Sequence, residues 1–464
     1  MPNRRLLQNT LLLTAASLLM QGIGMAYQVW LAGRIGAAGI GLFQLTLSVL
    51  NLGATFALSG VRFASTRLIA EELGDGRTRA VGAALRRCLV YAAVFGAAAL
   101  ALVFGFAEEL GTGWIRDTRT VLSLKISAFS LPCFALSSAA SGYFTACGRV
   151  WKPTLIHLIE QLVSIALVAA LLRLVPAGDL ERGCAAVSLG RLGGDVLSLL
   201  LMLLACAHDR RRYYPGAESG AGLTGRLLRI AMPLAASAYA RSALSTLQHL
   251  LTPRGLRAAG YSANRALAGY GVVHGMALPV ILFPSCVLGA LAELIVPRLT
   301  EAQVQKDDEA VWQTVLTLLR YSLLFSLAVA AFLSISAEAL GWLIYQNSQA
   351  GHFIRILAPL IPILYLDMTV DGCLKGLGQQ LWCMGVNIAD ALLGLALVWL
   401  LLPRWALTGY LVSIYVTEGF NFSLSLFRLL RILPSAPRAA HPPYGGSAKC
   451  AYTTAASKTT QAHP

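Results

Sequence analysis

Charge is the scarcest property of this chain. Of its 464 residues only 13% are charged, whereas 56% are hydrophobic. Ordinary globular domains are about 25% charged. Half of that charge leaves too little polar surface to cover a soluble body of this size. The composition therefore excludes a soluble enzyme and a small secreted disulfide scaffold.

The motifs of catalysis and metal binding are also missing. The nine cysteines form no C-x-x-C pair, and the seven histidines show no metal-ligand spacing. There is no G-x-S-x-G elbow, P-loop or H-E-x-x-H sequence. We therefore expect neither an enzyme nor a bound cofactor. The net charge of +15 comes mostly from residues in short loops, where basic residues orient membrane proteins, so we expect no nucleic-acid partner.

What the chain has instead is a series of apolar runs of about 18 or more residues, each long enough to cross a hydrocarbon core of roughly 30 Å. The first run continues to about Leu31 without a convincing cleavage site, so we interpret it as an uncleaved span rather than a signal peptide. The predicted fold class is an all-α polytopic membrane protein with about twelve transmembrane helices. The predicted spans are 6–32, 39–61, 81–106, 121–144, 153–175, 184–207, 227–251, 270–296, 311–336, 353–374, 381–402 and 406–430.

The basic residues are distributed unevenly between the two sides of these spans. With the N-terminus in the cytoplasm, 22 of the 37 lysines and arginines fall on the cytoplasmic side, 10 on the opposite side and five within spans. The positive-inside rule then places both termini in the cytoplasm of a bacterial cell. The segment 434–464 is rich in Pro, Ala, Ser and Thr and is predicted to be a disordered cytoplasmic tail.

An internal repeat relates residues 126–168 to residues 356–398 at a constant spacing of 230. Matched prolines, glycines and in-span acids are harder to obtain by chance than matched leucines, so we interpret the similarity as a duplication. The ungapped alignment pairs Lys125 with Arg355, Pro132 with Pro362, Gly142 with Gly372, Gly148 with Gly378 and Glu160 with Asp390.

The duplication predicts two six-helix lobes, 1–207 and 227–433, joined by a cytoplasmic linker, 208–226. Because both copies run in the same direction, the lobes are expected to be related by a pseudo-two-fold axis along the membrane normal. This plan is typical of transporters that bind their substrate between the lobes and alternate its access by rocking.

Charged residues inside spans are candidates for the site, because each costs roughly 2.5–3.5 kcal/mol on insertion scales unless it faces a cavity or a partner. Asp367, Asp371 and Lys375 are spaced four residues apart on one helix face, where the first repeat carries two serines and a threonine. In one interpretation, these three residues form a proton or sodium site or contact the substrate. In the other, Asp371 and Lys375 simply form an i,i+4 ion pair near a helix end.

Arg241 lies within the seventh predicted span, too far from either end for easy snorkelling. It therefore needs water, a carboxylate or a lipid phosphate. We expect it on the wall of the inter-lobe cavity as an anion contact. The alternative is a structural ion pair with Asp367 or Asp371.

The remaining in-span ionisable residues support two interpretations. Glu160 and Asp390, which the repeat matches, either take part in cation coupling or form local caps and ion pairs near the starts of their helices. His157, His249 and His274 are interpreted as hydrogen-bonded helix residues rather than ligands.

The first eighty residues resemble a known family. The segments GIGMAYQVWLAGRIGAAGIGLFQL (22–45) and LSGVRFASTRLIAEELGDG (58–76) are similar to the opening of the stage V sporulation protein B family. These proteins are oligosaccharide and lipid-linked-precursor flippases of the MOP exporter superfamily, related to lipid II flippases and to multidrug and toxic compound extrusion (MATE) transporters. The chain departs from the pattern at Gln21 and Gln28, where relatives usually carry basic residues, and at Arg62, where they carry proline.

The resemblance implies a flippase that moves a polyprenyl-diphosphate-linked oligosaccharide or peptidoglycan precursor between the leaflets. Arg241, Arg62 and Arg34 are then the candidate diphosphate contacts. Asp367, Asp371, Lys375, Glu160 and Asp390 are candidates for the cavity or for coupling to H⁺, Na⁺ or the membrane potential. We expect a monomer that contacts membrane lipid. A cation-coupled drug exporter on the same fold is the leading alternative, and a membrane glycosyltransferase is disfavoured because the outer loops are short.

The topology generates the first prediction. Gly220, between the lobes, and Ala448, in the tail, should both be cytoplasmic because of the 22-to-10 asymmetry in basic residues. Cysteines placed at these positions should resist an impermeant thiol reagent in intact cells and react after lysis. Strong labelling of both sites from outside would overturn the orientation.

Overall fold

The structure, a computed structural model, describes residues 2–75, 77–176, 179–214, 222–289 and 307–433, together with residues 291, 299 and 305. Gly220, Ala448 and the predicted tail 434–464 lie outside these ranges, as does part of the predicted span 270–296. Everything below concerns the described residues. They are helical almost throughout, and no strand occurs among them.

Fourteen α-helices are assigned in these ranges. In chain order they are α1 (Pro2–Leu58), α2 (Val61–Gly74), α3 (Val81–Gly105), α4 (Thr120–Ala128), α5 (Ser130–Ala146), α6 (Trp151–Leu172), α7 (Leu180–Tyr213), α8 (Leu223–Ala258), α9 (Ala263–Tyr270), α10 (Leu278–Leu282), α11 (Asp308–Tyr345), α12 (Ser348–Leu357), α13 (Ile361–Gly376) and α14 (Gln380–Ile432). Short π-helical turns follow α3 and α9, at Glu109–Ile115 and Gly271–Ala277.

The two longest helices are each divided by one non-helical residue. α1 has 57 residues and α14 has 53, so each would measure about 80 Å at 1.5 Å per residue, far more than a bilayer core. Gly36 breaks α1 with φ 69°, and Ala406 breaks α14 with φ 48°. Gly36 lies between the predicted spans 6–32 and 39–61, and Ala406 is the first residue of the predicted span 406–430, shortly after 381–402.

By length and composition, nine helical segments of the described chain could cross a membrane, so the chain is a multi-pass membrane protein. The 36-residue helix α8 is long enough but is not among the nine, because its centre carries Arg241, Gln248 and His249. The count of twelve spans stays a prediction. The predicted linker 208–226 is partly helical, since α7 continues to Tyr213 and α8 begins at Leu223.

Local geometry repeats at the same spacing of 230 that relates the two sequence segments. Gly148 and Gly378 both adopt positive φ, 69° and 73°, in the turns after α5 and α13. Arg116 and Gln346 both adopt positive φ where a helical segment ends.

Side-chain contacts follow the same register. Lys125 Nζ lies 2.8 Å from Glu108 Oε1, and Arg355 Nη1 lies 2.6 Å from Glu338 Oε1. Hydrogen bonding to Lys125 holds the pKa of Glu108 below its ordinary value. These equivalences extend the similarity beyond the aligned sequence and support a duplication. The symmetry axis itself stays a prediction.

Helix ends meet at two faces of the bundle. We call the basic face the one formed by the turns at 77–80, 147–150 and 377–379 and by the helix ends at Tyr214 and Gly222, where Arg149 and Lys152 both bind the buried carboxylate of Asp209. The opposite face contains the segments 106–119, 259–262 and 346–347. There, burial favours a raised pKa for Asp117, but the hydrogen bonds and charge of Arg119 outweigh it and lower that pKa.

The N-terminal half (residues 2–214) and the C-terminal half (residues 222–433) share an apolar core toward the opposite face, and the first turns of α8 pack into a second one with α2 and α3 toward the basic face. The backbones touch where α1 crosses α9. A Cβ on Gly41 would lie 2.1 Å from the carbonyl oxygen of Leu267, and a Cβ on Gly271 would lie 2.2 Å from that of Ala37. Only glycine permits this approach, so the two glycines hold the halves together here.

This contact generates the second prediction. The Gly41→Ala variant should lower the free energy of unfolding by about 1–3 kcal/mol or more, because backbone atoms must move to admit the methyl group. Gly33→Ala, on the same helix with no atom within 4 Å of its Cβ, is the matched control and should be neutral or slightly stabilising. Thermal unfolding in detergent measures both. Equal midpoints for the two variants would contradict the proposed packing.

Candidate functional site

A cavity of about 330 Å³ lies between the two halves. Its walls are the second part of α1, the centre of α8, and α9 with the following π-helical turn. The α1 wall presents Gln44, Ser48, Asn51 and Thr55, which fall on one face of that helix. The cavity therefore joins the N-terminal and C-terminal halves, as the duplication predicts for a substrate site.

The α8 wall is one face of that helix and is mostly polar. It consists of Ala238, Arg241, Ser242, Ser245, Thr246 and His249, which recur at spacings of three and four. Two hydrogen bonds join this wall to α1. Thr55 Oγ1 donates to Ser242 Oγ at 3.1 Å, and Thr246 Oγ1 donates to the Ser48 carbonyl at 3.0 Å.

Among the described residues, Arg241 is the only lysine or arginine that lines this cavity. Its guanidinium makes no ion pair or hydrogen bond with any residue that the structure describes. The alternative of a structural pair with Asp367 or Asp371 is therefore not found. A guanidinium this deep in a membrane protein is expensive unless it faces water or an anion, and the cavity supplies that environment.

The far end of the cavity is aromatic. His249 and His274 have ring centroids 4.6 Å apart, and Tyr270 stacks on His274 at 5.4 Å. His249 Nδ1 pairs with Tyr270 Oη at 3.2 Å, and His274 Nδ1 with Tyr410 Oη at 3.3 Å. The histidines are hydrogen-bonded, as predicted, but they also line the cavity, which sequence reasoning missed. The spacing of eight residues between Arg241 and His249 is the signal that could have revealed one of them.

The other two candidate anion contacts lie elsewhere. Arg34 is exposed near the break in α1, with its guanidinium 5.9 Å from the centroid of Trp30. Arg62 lines a separate pocket inside the N-terminal half. The structure thus does not bring Arg34, Arg62 and Arg241 together. Gln28, where relatives usually carry a basic residue, donates from Nε2 to the Gly275 carbonyl at 2.9 Å and joins the two halves.

The pocket that contains Arg62 measures about 220 Å³ and is lined by serines and by Glu160 and Asp195. Glu160 Oε2 lies 3.0 Å from His157 Nδ1. Asp195 Oδ2 is buried without a hydrogen-bond partner among the described residues. Glu160 therefore has a local partner, and the pocket retains one unsatisfied carboxylate oxygen.

Acidic residues gather at the corresponding place in the C-terminal half. Asp367 Oδ1 and Asp390 Oδ1 are buried, and neither has a hydrogen-bond partner in the described part of the chain. These two carboxylates and that of Glu418 interact electrostatically. Asp371 instead pairs with Lys375 at 2.5 Å, so the i,i+4 ion pair is present. Glu418 was not among the predicted site residues; its place in the last span was the available signal.

Contacts between the halves lie on either side of the central cavity. At the opposite face, Arg254 Nη2 donates to the Gly113 carbonyl at 2.8 Å, and Arg257 Nη1 donates to the Arg116 carbonyl at 3.2 Å. Together with the contact at Gly41, these bonds close that face.

At the basic face, Arg226 of α8 pairs with Glu71 and Glu72 of α2, each at 2.6 Å. Arg77 also pairs with Glu72, at 3.2 Å, so Glu72 keeps a partner if Arg226 withdraws. The pair with Glu71 is partly exposed and contributes about 0–1 kcal/mol, whereas the carboxylate of Glu72 is buried. Apolar residues in the first turns of α8 also pack against α2 and α3 at this face.

The third prediction concerns access to the cavity. Arg226→Ala should let a maleimide reach a cysteine placed at Ser245 several-fold faster, because it removes the ion pairs that join α8 to α2. The Arg229→Ala variant, one turn along α8 at an exposed arginine without an ion pair among the described residues, is the control. Labelling rates in purified protein, corrected for the parent without the new cysteine, measure the effect. Equal labelling rates for the two variants would show that the ion pairs of Arg226 do not restrict access to the cavity.

Residues 6–303 match the family described as "Polysaccharide biosynthesis protein", and residues 256–400 match the MatE family. Two proteins of Bacillus subtilis (strain 168) are similar over most of the chain. "Stage V sporulation protein B" is 24% identical over 87% of this chain and 79% of its own length. "Sporulation protein YkvU" is 20% identical over 86% of this chain and 88% of its own.

Solved structures share the fold. "Lipid II flippase MurJ, inward closed conformation" aligns with a TM-score of 0.69 at 12% identity, over 91% of this chain and 88% of the other. An inward-facing multidrug resistance MATE family transporter of the MOP superfamily aligns with a TM-score of 0.66 at 12% identity, over 90% of this chain and 98% of the other. A MOP superfamily transporter from Pyrococcus furiosus gives a TM-score of 0.62 at 14% identity, over 92% and 96%.

Proposed function

Because this chain belongs to the polysaccharide biosynthesis protein family and has the fold of MOP superfamily transporters, we propose that it is a flippase for a lipid-linked saccharide. Its substrate would be a polyprenyl-diphosphate-linked oligosaccharide or peptidoglycan precursor, carried from the cytoplasmic to the outer leaflet. The observation that carries the proposal is the unpaired guanidinium of Arg241 in a polar cavity between the halves.

The cavity suits a substrate with an anionic phosphate and a polar head. A guanidinium binds phosphate oxygens through charge-assisted, bidentate hydrogen bonds. Gln44, Asn51 and Ser245 add neutral hydrogen-bonding groups nearby. Since Arg241 is the one arginine or lysine in the described lining, these neutral groups would have to satisfy the rest of a diphosphate.

The two faces differ in the way that alternating access requires. The basic face is proposed to open first, because Glu71 and Glu72 can exchange Arg226 for water and Arg77, whereas the backbone contact at Gly41 has no substitute. With the termini in the cytoplasm, as the basic asymmetry predicts, substrate would enter from the cytoplasmic leaflet. The polyprenyl tail would stay in the bilayer while the head crosses through the cavity.

Coupling to an ion is proposed for the buried acids. Asp367, Asp390 and Glu418 form a cluster with two unsatisfied carboxylate oxygens, and Glu160 with Asp195 forms another. Carboxylates in such surroundings bind H⁺ or Na⁺ readily, since either neutralises a charge that the membrane disfavours. Binding of the cation would favour one arrangement of the halves over the other.

A cation-coupled multidrug exporter is the second candidate, favoured by the same acidic clusters. A guanidinium repels a cationic drug unless a carboxylate offsets it, and the described lining of the central cavity contains Arg241 and no carboxylate. This lining is why we place the flippase first. Accumulation of an organic cation in cells that lack the gene, and not in cells that carry it, would reverse the order.

The fourth prediction tests Arg241. In proteoliposomes, Arg241→Ala should slow flipping of a fluorescent short-chain polyprenyl-diphosphate disaccharide by roughly 10- to 100-fold, since a charged hydrogen bond contributes about 1.5–3 kcal/mol. The Arg241→Lys variant should keep part of the rate, because the charge survives although the bidentate geometry is lost. Fluorescence quenching from the outer side measures the transfer.

The matched control is Arg320→Ala, an exposed arginine within α11 that does not line the cavity. Its rate should equal that of the parent. Full transport by Arg241→Ala at normal protein level would reject the anion contact. Loss of protein in Arg241→Ala, restored by removal of Asp367 or Asp371, would instead establish a structural ion pair.

A further inference from the structure

A second cavity opens at the opposite face, entirely within the C-terminal half. It measures about 650 Å³, within the range of about 300–1,000 Å³ typical of ligand sites. Four helices contribute, namely α9, the end of α11, the start of α12 and the second part of α14. We call it the opposite-face pocket. Gly269 of α9 lines it while the adjacent Tyr270 lines the central cavity, so α9 separates the two.

The walls combine aromatic rings with hydrogen-bonding side chains. Tyr261, Trp342 and Phe353 supply the rings, and Arg265, Gln349 and His352 supply the polar groups. Rings of this kind present an apolar face to a ligand, while amide, imidazole and guanidinium groups bind hydroxyls from the side. Such a mixture matches a ligand with alternating C–H faces and hydroxyl edges.

The charges of the pocket argue against a phosphate site. The Arg265 guanidinium lies 4.7 Å from the centroid of Tyr261 and forms no ion pair with any residue of the described chain. The other charge in the lining, Glu338, is neutralised by Arg355 at 2.6 Å. A phosphate site concentrates cations and avoids carboxylates. One free guanidinium beside a paired carboxylate suits a neutral or weakly acidic polyol.

The duplication shows which of these residues the fold itself requires. At a spacing of 230, the ion pair of Glu338 is preserved as Glu108 with Lys125. The ligand-facing residues are not preserved, because the N-terminal half has Thr112 in place of Trp342 and Leu122 in place of His352. The helix ends therefore pack without an indole or an imidazole, and these groups are additions of the C-terminal half.

We propose that the opposite-face pocket binds the saccharide portion of the lipid-linked substrate once the head has crossed the membrane. This inference rests on the proposed function for its choice of ligand and of side. A pyranose would stack on the indole of Trp342, and its hydroxyls would hydrogen-bond to His352, Gln349 and Arg265. Capture at this face would disfavour return of the head to the central cavity.

Binding is measured without transport. Full-length protein in nanodiscs of zwitterionic lipid is titrated with N-acetylglucosamine, its β1,4-linked dimer and cellobiose, and saturation-transfer NMR reports contact with the sugar protons. We expect saturable binding of at least one of these saccharides. Trp342→Thr and His352→Leu, which introduce the residues of the N-terminal half, should each weaken it on the order of three- to tenfold.

The matched control is Trp399→Thr, because Trp399 and Trp342 are both 67% exposed but Trp399 lies on α14 outside the pocket. It should bind as the parent does. Binding of none of the three saccharides, or equal binding by the parent and both pocket variants, would overturn the proposal. So would displacement of the saccharide by glycerol 1-phosphate at equal concentration, which would assign the pocket to a phospholipid headgroup.

The two proposals fail in different ways. Arg241→Ala should leave saccharide binding unchanged, since Arg241 is not in this pocket. Saccharide binding by a protein that flips no lipid-linked sugar would reject the flippase and keep the pocket. Normal flipping by Trp342→Thr and His352→Leu, with no saccharide bound by the parent, would keep the flippase and reject the saccharide pocket.

Discussion

The cost of a charge inside a membrane is the constraint on which the rest of this structure depends. Arg241 lies at the centre of α8, and no carboxylate of the described chain neutralises it. The structure meets this cost with a polar cavity rather than an ion pair. With Arg241 at its centre, α8 is too polar to be counted among the candidate membrane spans. Residues of α1 form the cavity wall that faces it. A cavity between halves is thus a consequence of the arginine as much as of the fold.

In the proposed mechanism the central cavity opens on one side at a time, and the contacts around it differ in kind. At Gly41 and Gly271 the backbones interlock, and small shifts meet steep repulsion. At the basic face the contact combines the ion pairs of Arg226 with apolar packing of α8 against α2 and α3. The ion pairs can exchange partners with water and with Arg77. The proposal therefore takes the glycine contact as the resting closure and the basic face as the side that opens.

Sequence reasoning reached the fold because apolar length, basic asymmetry and a spacing of 230 are properties of the chain itself. The helical membrane class, the polysaccharide biosynthesis protein family and the fold shared with MOP superfamily transporters are confirmed. The site was harder. Arg34 and Arg62 were grouped with Arg241 because all three are basic, but their helices place them elsewhere. His249 and His274 were treated as structural because their tyrosine partners, Tyr270 and Tyr410, become visible only in three dimensions.

The duplication separates what the fold needs from what this chain has added. Features present in both copies, such as the turns at Gly148 and Gly378 and the ion pairs of Glu108 and Glu338, serve the helix ends in each half. Features present in one copy have no such structural demand behind them. Asp367 stands where the first half has a serine, and His352 where it has a leucine. Because the first half repeats the turns and ion pairs without these residues, they are the candidates for function rather than stability.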